Sequence, residues 1–404
     1  MDRTILHCDL NGFYASVECL YKPELKDVPM AVCGNVENRH GIILAKNELA
    51  KGFGIVTAET VWQAKKKCPE LVLVPPHHDR YAKYSKIVQE IYERFTDKVE
   101  PFGIDEAWLD VTGSLKLYGD GKEIADQIRE TVSSEVGLTV SVGVSFNKVF
   151  AKLGSDYKKP DATTVIGREN YKEVLYPLPV SDLLYVGKSV KVKLADIGIN
   201  TIGQLAESNK NLLINLLGKS GGMIHDYANG LDKSEVQLSN EAREVKSVGR
   251  GMTFSHDLIE IQDIKDAVLP LAEDVAIRLR ENELKCGGVQ VAIRDPQFKT
   301  ITRQKQLEQP THLIIEIFEA TLQILKEQWD LDKPIRMLTI TGIYLVSANE
   351  AKQLSIFDVG DNSKRVKLDK LEQTVNEIRH RYGKNSISLG ASINKGIVQS
   401  EGEE

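Results

Sequence analysis

The sequence predicts a multidomain α+β protein. The grounds are its length and two changes of pattern along the chain. The chain has 404 residues, room for about two to four domains of ordinary size. Residues 1–165 alternate between short apolar strands and helices, the pattern changes to helical segments from Pro179, and residues 242–346 are rich in strands. A content of 42% hydrophobic and 27% charged residues argues against wholesale disorder.

Charge, apolar runs and cysteine content narrow the class of protein. No apolar run reaches the roughly 18 residues that a membrane span needs, and the N-terminus lacks a signal-peptide pattern. The five cysteines show no CxxC pair or zinc-ligand spacing, which favours a reduced cytoplasmic protein. With 52 basic and 58 acidic residues the net charge is −6, which argues against a broadly basic nucleic-acid binder but permits a local basic strip.

The first 166 residues predict a ferredoxin-like domain. The order strand, helix, hairpin, helix, strand is typical of that fold, with helices on one face of the sheet and the other face open. About 50 residues before Leu71 do not fit, and we expect them to form a small inserted subdomain. The main predicted elements are Thr4–Asp9, Phe13–Leu20, Met30–Cys33, Gly41–Ala45, Asp79–Phe95, Lys98–Phe102, Ala107–Val111, Ile124–Val136, Leu138–Val144 and Lys148–Tyr157.

Two later regions carry candidate DNA contacts. In the helical region, turns at Val186-Gly187 and Gly198 can offer backbone amides to a DNA phosphate, although a plain helical hairpin has the same pattern. In the strand-rich region, Arg294 and Arg303 belong to a net-positive stretch on two neighbouring strands, which suits either a phosphate contact or a protected edge strand. The polar tail after Ser347 is expected to be flexible, apart from one helix near Arg365–Tyr382.

The segment ILHCDLNGFYASVE (Ile5–Glu18) is the strongest local signal. Asp9 ends an apolar strand, and Gly12 with two aromatic residues opens the next helix. A carboxylate beside free helix amides can hold a divalent cation and a phosphate chain together. A strand-ending Asp is also common as a simple cap, so this motif alone does not establish a metal site.

The segment GIDEAWLDVTGS (Gly103–Ser114) contains two further candidate carboxylates. Asp105 and Glu106 are adjacent at the predicted hairpin, and Gly103 permits the bend that would let them converge. The ferredoxin-like topology places the first strand beside this hairpin, which brings Asp9 within reach. Three carboxylates on an open sheet are what two-metal phosphoryl transfer requires.

A third segment, NKVFAKLGSDYKKPDATTVI (Asn147–Ile166), places lysines near the same cleft. Lys148 and Lys152 lie on one helix face, and Lys158-Lys159-Pro160 ends the helix. One of these lysines can reach a triphosphate across the cleft. For Lys148 we favour a solvated helix face.

In this order and spacing the motifs resemble the Y-family of translesion DNA polymerases, of the bacterial polymerase IV or polymerase V catalytic-subunit type. The resemblance runs from Thr4 to about Val346 and includes SVGVSFNKVFAKLGSDYKKP (Ser141–Pro160) and VGRGMTF (Val248–Phe254). It implies a palm at 1–19 and 78–166, fingers at 20–77, a helical thumb at 167–241, an α/β little finger at 242–346 and a tail at 347–404.

The resemblance also implies the reaction and its metal site. Asp9, Asp105 and Glu106, with the backbone carbonyl of Leu10, would hold two Mg²⁺ ions, for which Mn²⁺ is an expected substitute. The protein would add deoxynucleotides to a primer 3′-hydroxyl on a DNA template. No length remains for a proofreading domain, so synthesis would be error-prone, and we expect a monomer.

Further residues take their roles from the same resemblance. Phe13 would pack against the incoming sugar and base, Tyr14 would be the steric gate against a ribose 2′-hydroxyl, and Lys159 would contact the triphosphate. Among DNA contacts, the resemblance adds Arg250 to the thumb and little-finger residues named above.

The predicted fingers depart from the family pattern. KNELAKGFGI (Lys46–Ile55) falls where many members carry Tyr and Arg for the triphosphate, and here those positions are Glu48 and Lys51, with Ala45 in place of a Thr. Lys51 supplies a point charge rather than a bidentate fork. Glu48 would repel phosphates unless it turns away or pairs with Lys51.

The tail contains AKQLSIFD (Ala351–Asp358), which looks like the peptide that docks bacterial polymerases onto the sliding clamp. Its docking residues would be Gln353, Leu354, Ile356 and Phe357.

Two alternatives to a polymerase are a nucleotide cyclase on the same palm and a catalytically impaired scaffold bound to clamp and DNA. A cyclase needs neither thumb nor clamp peptide. The three carboxylates argue against a scaffold, whereas Ala45 and Glu48 keep that alternative open.

Overall fold

The structure is a computed structural model that describes residues 2–35, 41–241, 244–349, 362–383, 386–388 and 390. It divides into two compact units, one of Met1–Gly34 with Gly41–Ala242 and one of Asn35–His40 with Arg243–Glu404. None of the described helices is both long enough and apolar enough to cross a lipid bilayer.

The first unit combines two β-sheets with helices. Its elements are β1 (Ile5–Leu10), α1 (Phe13–Tyr21), β2 (Met30–Cys33), β3 (Ile43–Lys46), α2 (Glu48–Gly52), α3 (Val61–Lys67), β4 (Val72–Val74), α4 (His78–Tyr92), β5 (Val99–Pro101), β6 (Glu106–Asp110), α5 (Leu115–Tyr118), α6 (Gly121–Val136), β7 (Val140–Ser145), α7 (Lys148–Tyr157), β8 (Thr163–Ile166), α8 (Tyr171–Leu175), α9 (Lys188–Ala195), α10 (Ile202–Glu207), α11 (Lys210–Leu217) and α12 (Lys219–Ala228).

The larger sheet of this unit confirms the ferredoxin-like prediction. Its strand order is β5-β6-β1-β7-β8, with β1 antiparallel to both of its neighbours. Strand β8, parallel to β7, was not predicted. The pairing sets Asp9 opposite Glu106 on one side and opposite Ser141 on the other, so the end of β1 lies beside the hairpin, as expected.

The two faces of this sheet differ because side chains alternate along each strand. Leu6, Cys8 and Leu10 enter the core against α4 and α6, whereas His7 and Asp9 face the other side. The prediction that this second face is open is wrong in part, because α7 packs on it. Gly143 allows the approach, since a Cβ there would lie 1.9 Å from the carbonyl oxygen of Ala151.

The insertion folds as a small sheet with order β3-β2-β4, covered by α2 and α3. Strand β2 has the predicted bounds, and Asn47 caps α2, its side chain accepting a hydrogen bond from the Ala50 amide. Beyond β8 the unit is helical. There Gly187 is the N-cap of α9 and Gly198 adopts a left-handed φ of 81°.

The second unit contains β9 (Val248–Leu258), α13 (Ile261–Glu281), β10 (Leu284–Arg294), β11 (Thr300–Thr311), α14 (Ile314–Gln328), β12 (Ile335–Ser347) and α15 (Asn362–Tyr382). Its strands form an antiparallel sheet with order β11-β10-β12-β9. Helices α13 and α14 pack on one face and form the core with it. Arg294 and Arg303 lie on the neighbouring strands β10 and β11, as predicted.

The helix expected in the tail near Arg365–Tyr382 is present as α15, and it is anchored to the second unit. Glu372 pairs with Arg280, whose side chain is 7% exposed, and Asp369 lies 2.6 Å from Nε2 of His312. Further ion pairs join Arg365 to Glu316 and Arg379 to Glu273. These partners are distant in sequence, so local periodicity predicts the helix but not its docking.

Candidate active site

The three predicted carboxylates meet at one end of the larger sheet. Asp9 and Glu106 form a cross-strand pair, so their side chains leave the same face. The carbonyl of Asp105 accepts a hydrogen bond from the Leu10 amide at 3.0 Å, which ties the hairpin to the end of β1. The backbone therefore gathers three acidic residues that are almost 100 positions apart in the chain.

A tight turn before β6 brings Asp105 and Glu106 together. The amides of Phe102 and Gly103 both donate to the carbonyl of Glu106, at 2.9 and 3.3 Å. A Cβ at Gly103 would lie 3.3 Å from Cγ of Glu106 and 3.4 Å from Oδ1 of Asp105. The small residue leaves these carboxylates the room that the sequence predicted.

Two lysines of the α7 region neutralise the outer carboxylates. Lys152 Nζ lies 2.5 Å from Oε2 of Glu106, and Lys159 Nζ lies 2.8 Å from Oδ2 of Asp9 and from Oδ1 of Asp156. Each ammonium group lies where it offsets the charge of a carboxylate that is largely shielded from water.

The expectation of a solvated Lys148 is wrong. Lys148 is 9% exposed, pairs with Glu100 at 2.7 Å and lies over the ring of Trp108. Helix α7 therefore turns both of its first two lysines toward the sheet. Its packing against Gly143 explains this, because a helix that touches the sheet cannot keep that face in water.

The pKa values of the carboxylates separate. Burial, together with the charges of Asp9 and Glu106, raises the pKa of Asp105 to about 6. Burial also raises the pKa of Asp9, although Lys159 opposes this. For Glu106 burial is outweighed by hydrogen bonds from His7 and Lys152, which lower its pKa to about 2. Glu106 is therefore protonated only at low pH, whereas Asp105 is protonated at a higher pH than an ordinary aspartate.

The donor set suits a hard divalent cation, since carboxylate and carbonyl oxygens are the ligands that Mg²⁺ prefers. The mutual repulsion that raises the pKa of Asp105 is the kind that a cation relieves. In the part of the chain that the structure describes, no three His, Cys, Asp or Glu side chains are arranged to hold a metal. The reason lies in the ion pairs, which turn Glu106 toward Lys152 and Asp9 toward Lys159.

The aromatic residues of α1 have different environments. Phe13 is 2% exposed and lies in the core, so its ring is not at the surface as the proposed nucleotide contact would need. Tyr14 is half-buried and stacks on Tyr81, with ring centroids 3.9 Å apart and planes 9° apart. Burial, followed by the charge of Asp105, raises the pKa of Tyr14.

Of the two alternatives for Glu48, turning away or pairing with Lys51, the structure shows the pairing. Lys51 Nζ lies 3.3 Å from Oε2 of Glu48, and both side chains are more than half exposed. A pocket of about 340 Å³ lies beside them, lined among others by Gly12, Lys46 and Asp161. Lys46 was not predicted, and burial followed by the charge of Lys51 lowers its pKa.

The helical turns predicted to contact DNA have the expected backbone. Gly187 caps α9 without a side-chain hydrogen bond, which leaves its first amides to other acceptors. Gly198 needs its left-handed φ. Val186 is 5% exposed and belongs to the helical core, so its side chain packs inward.

The arginines of the second unit divide between the two faces of its sheet. Arg294 donates to Thr300 Oγ1 at 2.9 Å on the face without helices. Arg303 pairs in register with the buried Val291 and donates to Gln328 of α14. Arg250 lies on the same helix-covered face, opposite Ile340 and 3.2 Å from Asp274 of α13. The three arginines therefore do not lie on one face of the sheet.

Sequence reasoning missed His7, which is fully buried beside Glu106. Its Nδ1 lies 2.8 Å from Ser155 Oγ, and its Nε2 lies 3.3 Å from Oε2 of Glu106. Burial lowers the pKa of His7, so the ring supports Glu106 mainly as a neutral group. The signal was present, because His7 is two residues before Asp9 and alternation puts both on one face. The clamp-peptide residues Gln353, Leu354, Ile356 and Phe357 lie outside the described residues.

Comparison with known proteins decides the family. Residues 8–156 match the model of the impB/mucB/samB family, and residues 245–356 match the model of the impB/mucB/samB family C-terminal domain. Together they span more than half of the chain. The chain belongs to the Y-family of DNA polymerases. It is a DNA-directed DNA polymerase that depends on a divalent metal.

Full-length relatives agree with this membership. A DNA polymerase IV of Acetivibrio thermocellus is 48% identical over 96% of this chain and 97% of its own. Another, of Bacillus velezensis, is 37% identical over 99% of this chain and 95% of its own. A solved Y-family DNA polymerase chimera has the same fold, with a TM-score of 0.74 and 21% identity over 85% of this chain and 99% of its own.

Proposed function

We propose that this Y-family polymerase performs error-prone translesion synthesis, adding deoxynucleotides to a primer 3′-hydroxyl on a DNA template without proofreading. The observation that carries the proposal is the convergence of Asp9, Asp105 and Glu106 at the end of the antiparallel strands β1 and β6. Two-metal phosphoryl transfer needs such a group of carboxylates where the substrates can reach it. The alternative of an impaired scaffold has no comparable support.

We propose that these three carboxylates and the carbonyl of Leu10 hold two Mg²⁺ ions, with Mn²⁺ as a substitute. When bound, such ions lower the pKa of the attacking hydroxyl and neutralise the leaving pyrophosphate. The chain's own part is to orient the acceptors. Glu106 is held ionised between His7 and Lys152, and the low pKa of Glu106 supports its role as a ligand at neutral pH.

The nucleotide would lie against α1 and the end of α7. Lys159 is assigned to the triphosphate, supported by its place beside Asp9. Tyr14 is assigned as the steric gate, supported by a half-buried ring whose pKa is raised by burial and by the charge of Asp105. Lys51 remains a candidate phosphate contact, but its pairing with Glu48 must loosen first. The contact assigned to Phe13 is then indirect, through the ring of Tyr14 at 5.8 Å.

DNA contacts are assigned to the turns around Gly187 and Gly198 and to Arg294. They are supported by free helix amides and by an arginine on the uncovered sheet face. Val186 shapes its turn from the core side. Arg250 contacts Asp274 of α13 and Arg303 contacts Gln328 of α14. Each arginine must break that contact before it can bind DNA.

The same proposal includes docking of Gln353–Phe357 on a sliding clamp, supported by the QLxIF pattern alone. Two spaced aliphatic residues and an aromatic residue suit an apolar groove. The peptide follows the last strand of the second unit by only a few residues, which suits a tether between the polymerase and a clamp.

The test is primer extension by the purified chain on undamaged and abasic templates, with Mg²⁺, with and without a bacterial sliding clamp. Glu106→Ala should lower incorporation by about a hundredfold or more and leave DNA affinity nearly unchanged. Phe357→Ala should lose only the stimulation by the clamp. Glu135→Ala is the matched control, because Glu135 is an exposed carboxylate paired with Arg94. Equal loss of DNA binding and incorporation in Glu106→Ala would contradict the catalytic assignment.

A further inference from the structure

The ring of Tyr14 stacks face to face on a second aromatic ring, that of Tyr81. Tyr81 of α4 stacks on it almost in parallel, with centroids 3.9 Å apart and planes 9° apart. His78, on the same helix, meets the Tyr14 ring edge-on at 6.0 Å. Stacked aromatic pairs resist displacement of either ring from the shared plane. The orientation of Tyr14 therefore depends on where α4 holds Tyr81.

A buried carboxylate fixes Tyr81 in turn. The Tyr81 hydroxyl donates to Oε1 of Glu18 at 2.7 Å and accepts from the His77 amide at 3.1 Å. Glu18 is fully buried, and it also lies 2.9 Å from Nδ1 of His77 and 3.1 Å from a guanidinium nitrogen of Arg80. A buried charge is tolerated only with such partners, so the group is rigid.

The connection runs between two helices. Glu18 and Tyr14 lie one turn apart on α1, whereas Tyr81 and its neighbours lie on α4. The carboxylate thus joins the helix that carries Tyr14 to the helix that carries its stacking partner. Rotation of the Tyr14 side chain to another rotamer would give up the stacking, and movement of Tyr81 would strip a hydrogen bond from a buried carboxylate.

We infer that Tyr81 and Glu18 are positioning residues for sugar selection, which hold the Tyr14 ring as an unyielding wall against a ribose 2′-hydroxyl. This inference rests on the proposed role of Tyr14 as the gate. A steric barrier excludes an extra hydroxyl only if it cannot move by the size of that hydroxyl. The stacked ring and the buried carboxylate supply that resistance, since displacements near 1 Å at an active site already change rates greatly.

The experiment measures the ratio of kcat/KM for a ribonucleotide to that for the matching deoxynucleotide. Tyr81→Leu removes the stacked ring and should raise this ratio by about tenfold. Tyr81→Phe keeps the ring but loses the hydrogen bond to Glu18, and should raise it less. Because both rates come from the same preparation, partial unfolding cancels in the ratio. Tyr84→Leu is the matched control, since Tyr84 of α4 contacts Tyr21 instead.

The double variant separates positioning from a general loosening of the site. In a Tyr14→Ala background, Tyr81→Leu should change the ratio no further, because the gate that it positions is absent. An unchanged ratio in Tyr81→Leu, with a raised ratio in Tyr14→Ala, would overturn the inference and leave the proposed gate intact. An unchanged ratio in Tyr14→Ala would instead refute the gate itself.

Discussion

Asp105 and Glu106 are neighbours in the chain, yet the structure shifts their pKa values in opposite directions. Both are partly buried, but Glu106 has His7 and Lys152 within contact distance, whereas Asp105 faces mainly other carboxylates. At the scale of single residues, the partner therefore decides the charge state rather than the residue type.

Asp105→Asn should stabilise the metal-free protein at neutral pH. The folded-state pKa of Asp105, about 6, lies above its ordinary value of 3.8. Its stabilising contribution is therefore present below about pH 4 and is lost as the pH rises through about 6. Removal of the charge should gain about 1–2 kcal/mol at pH 7.5 after allowance for solvent screening, and less at pH 4.5. Urea denaturation in EDTA at both pH values measures this, and an equal effect at both would contradict it.

The sequence predicted the acidic residues of the site because two motifs flank elements that the ferredoxin-like topology makes adjacent. It also named pairing with Lys51 as one of two ways for Glu48 to avoid repelling phosphates, and the structure shows that pairing. It did not predict the contacts of Lys148 and Lys152, because which face of α7 meets the sheet depends on a close approach at Gly143. Helical spacing alone cannot distinguish a buried lysine pair from a solvated one.

At the scale of elements, α7 was predicted with its observed bounds, Lys148–Tyr157, and the fold was predicted through the order of strands and helices. Its position was not predicted, although that position brings Lys152 to Glu106. The same holds for α15, whose periodicity indicates a helix but whose partners lie far away in sequence. Local pattern fixes an element, whereas single glycines and paired charges fix where it packs.

Gly143→Ala should displace α7 from the sheet. The added Cβ would lie 1.9 Å from the carbonyl oxygen of Ala151 and 2.4 Å from the amide nitrogen of Ser155, both rigid backbone atoms. Overpacking of this kind costs roughly 1–3 kcal/mol or more, and incorporation should fall because Lys152 moves with the helix. Thermal melting and primer extension measure both effects. Gly113→Ala is the control, since no atom lies within 4 Å of its Cβ, and matching losses in the two variants would refute the packing argument.

At the scale of the whole molecule, a net charge of −6 is compatible with a DNA polymerase because the charges are locally paired or segregated. Acidic residues converge at the carboxylate site, and both there and at α15 they pair with basic partners. The total charge therefore says little about which surfaces meet DNA. It was the motifs, rather than the overall charge, that identified the class of enzyme.

The anchoring of α15 predicts that the tail helix stabilises the second unit. A chain that ends at Asp361 would leave Arg280 without Glu372 and His312 without Asp369. Loss of one partner from a buried ion pair costs about 3 kcal/mol, so the melting temperature of this unit should fall by roughly 5–10 °C. A chain that ends at Gly383 keeps the whole helix and should melt like the full chain. Equal melting of the two shortened chains would show that α15 contributes nothing, whereas Glu372→Gln should reproduce part of the loss if Arg280 carries it.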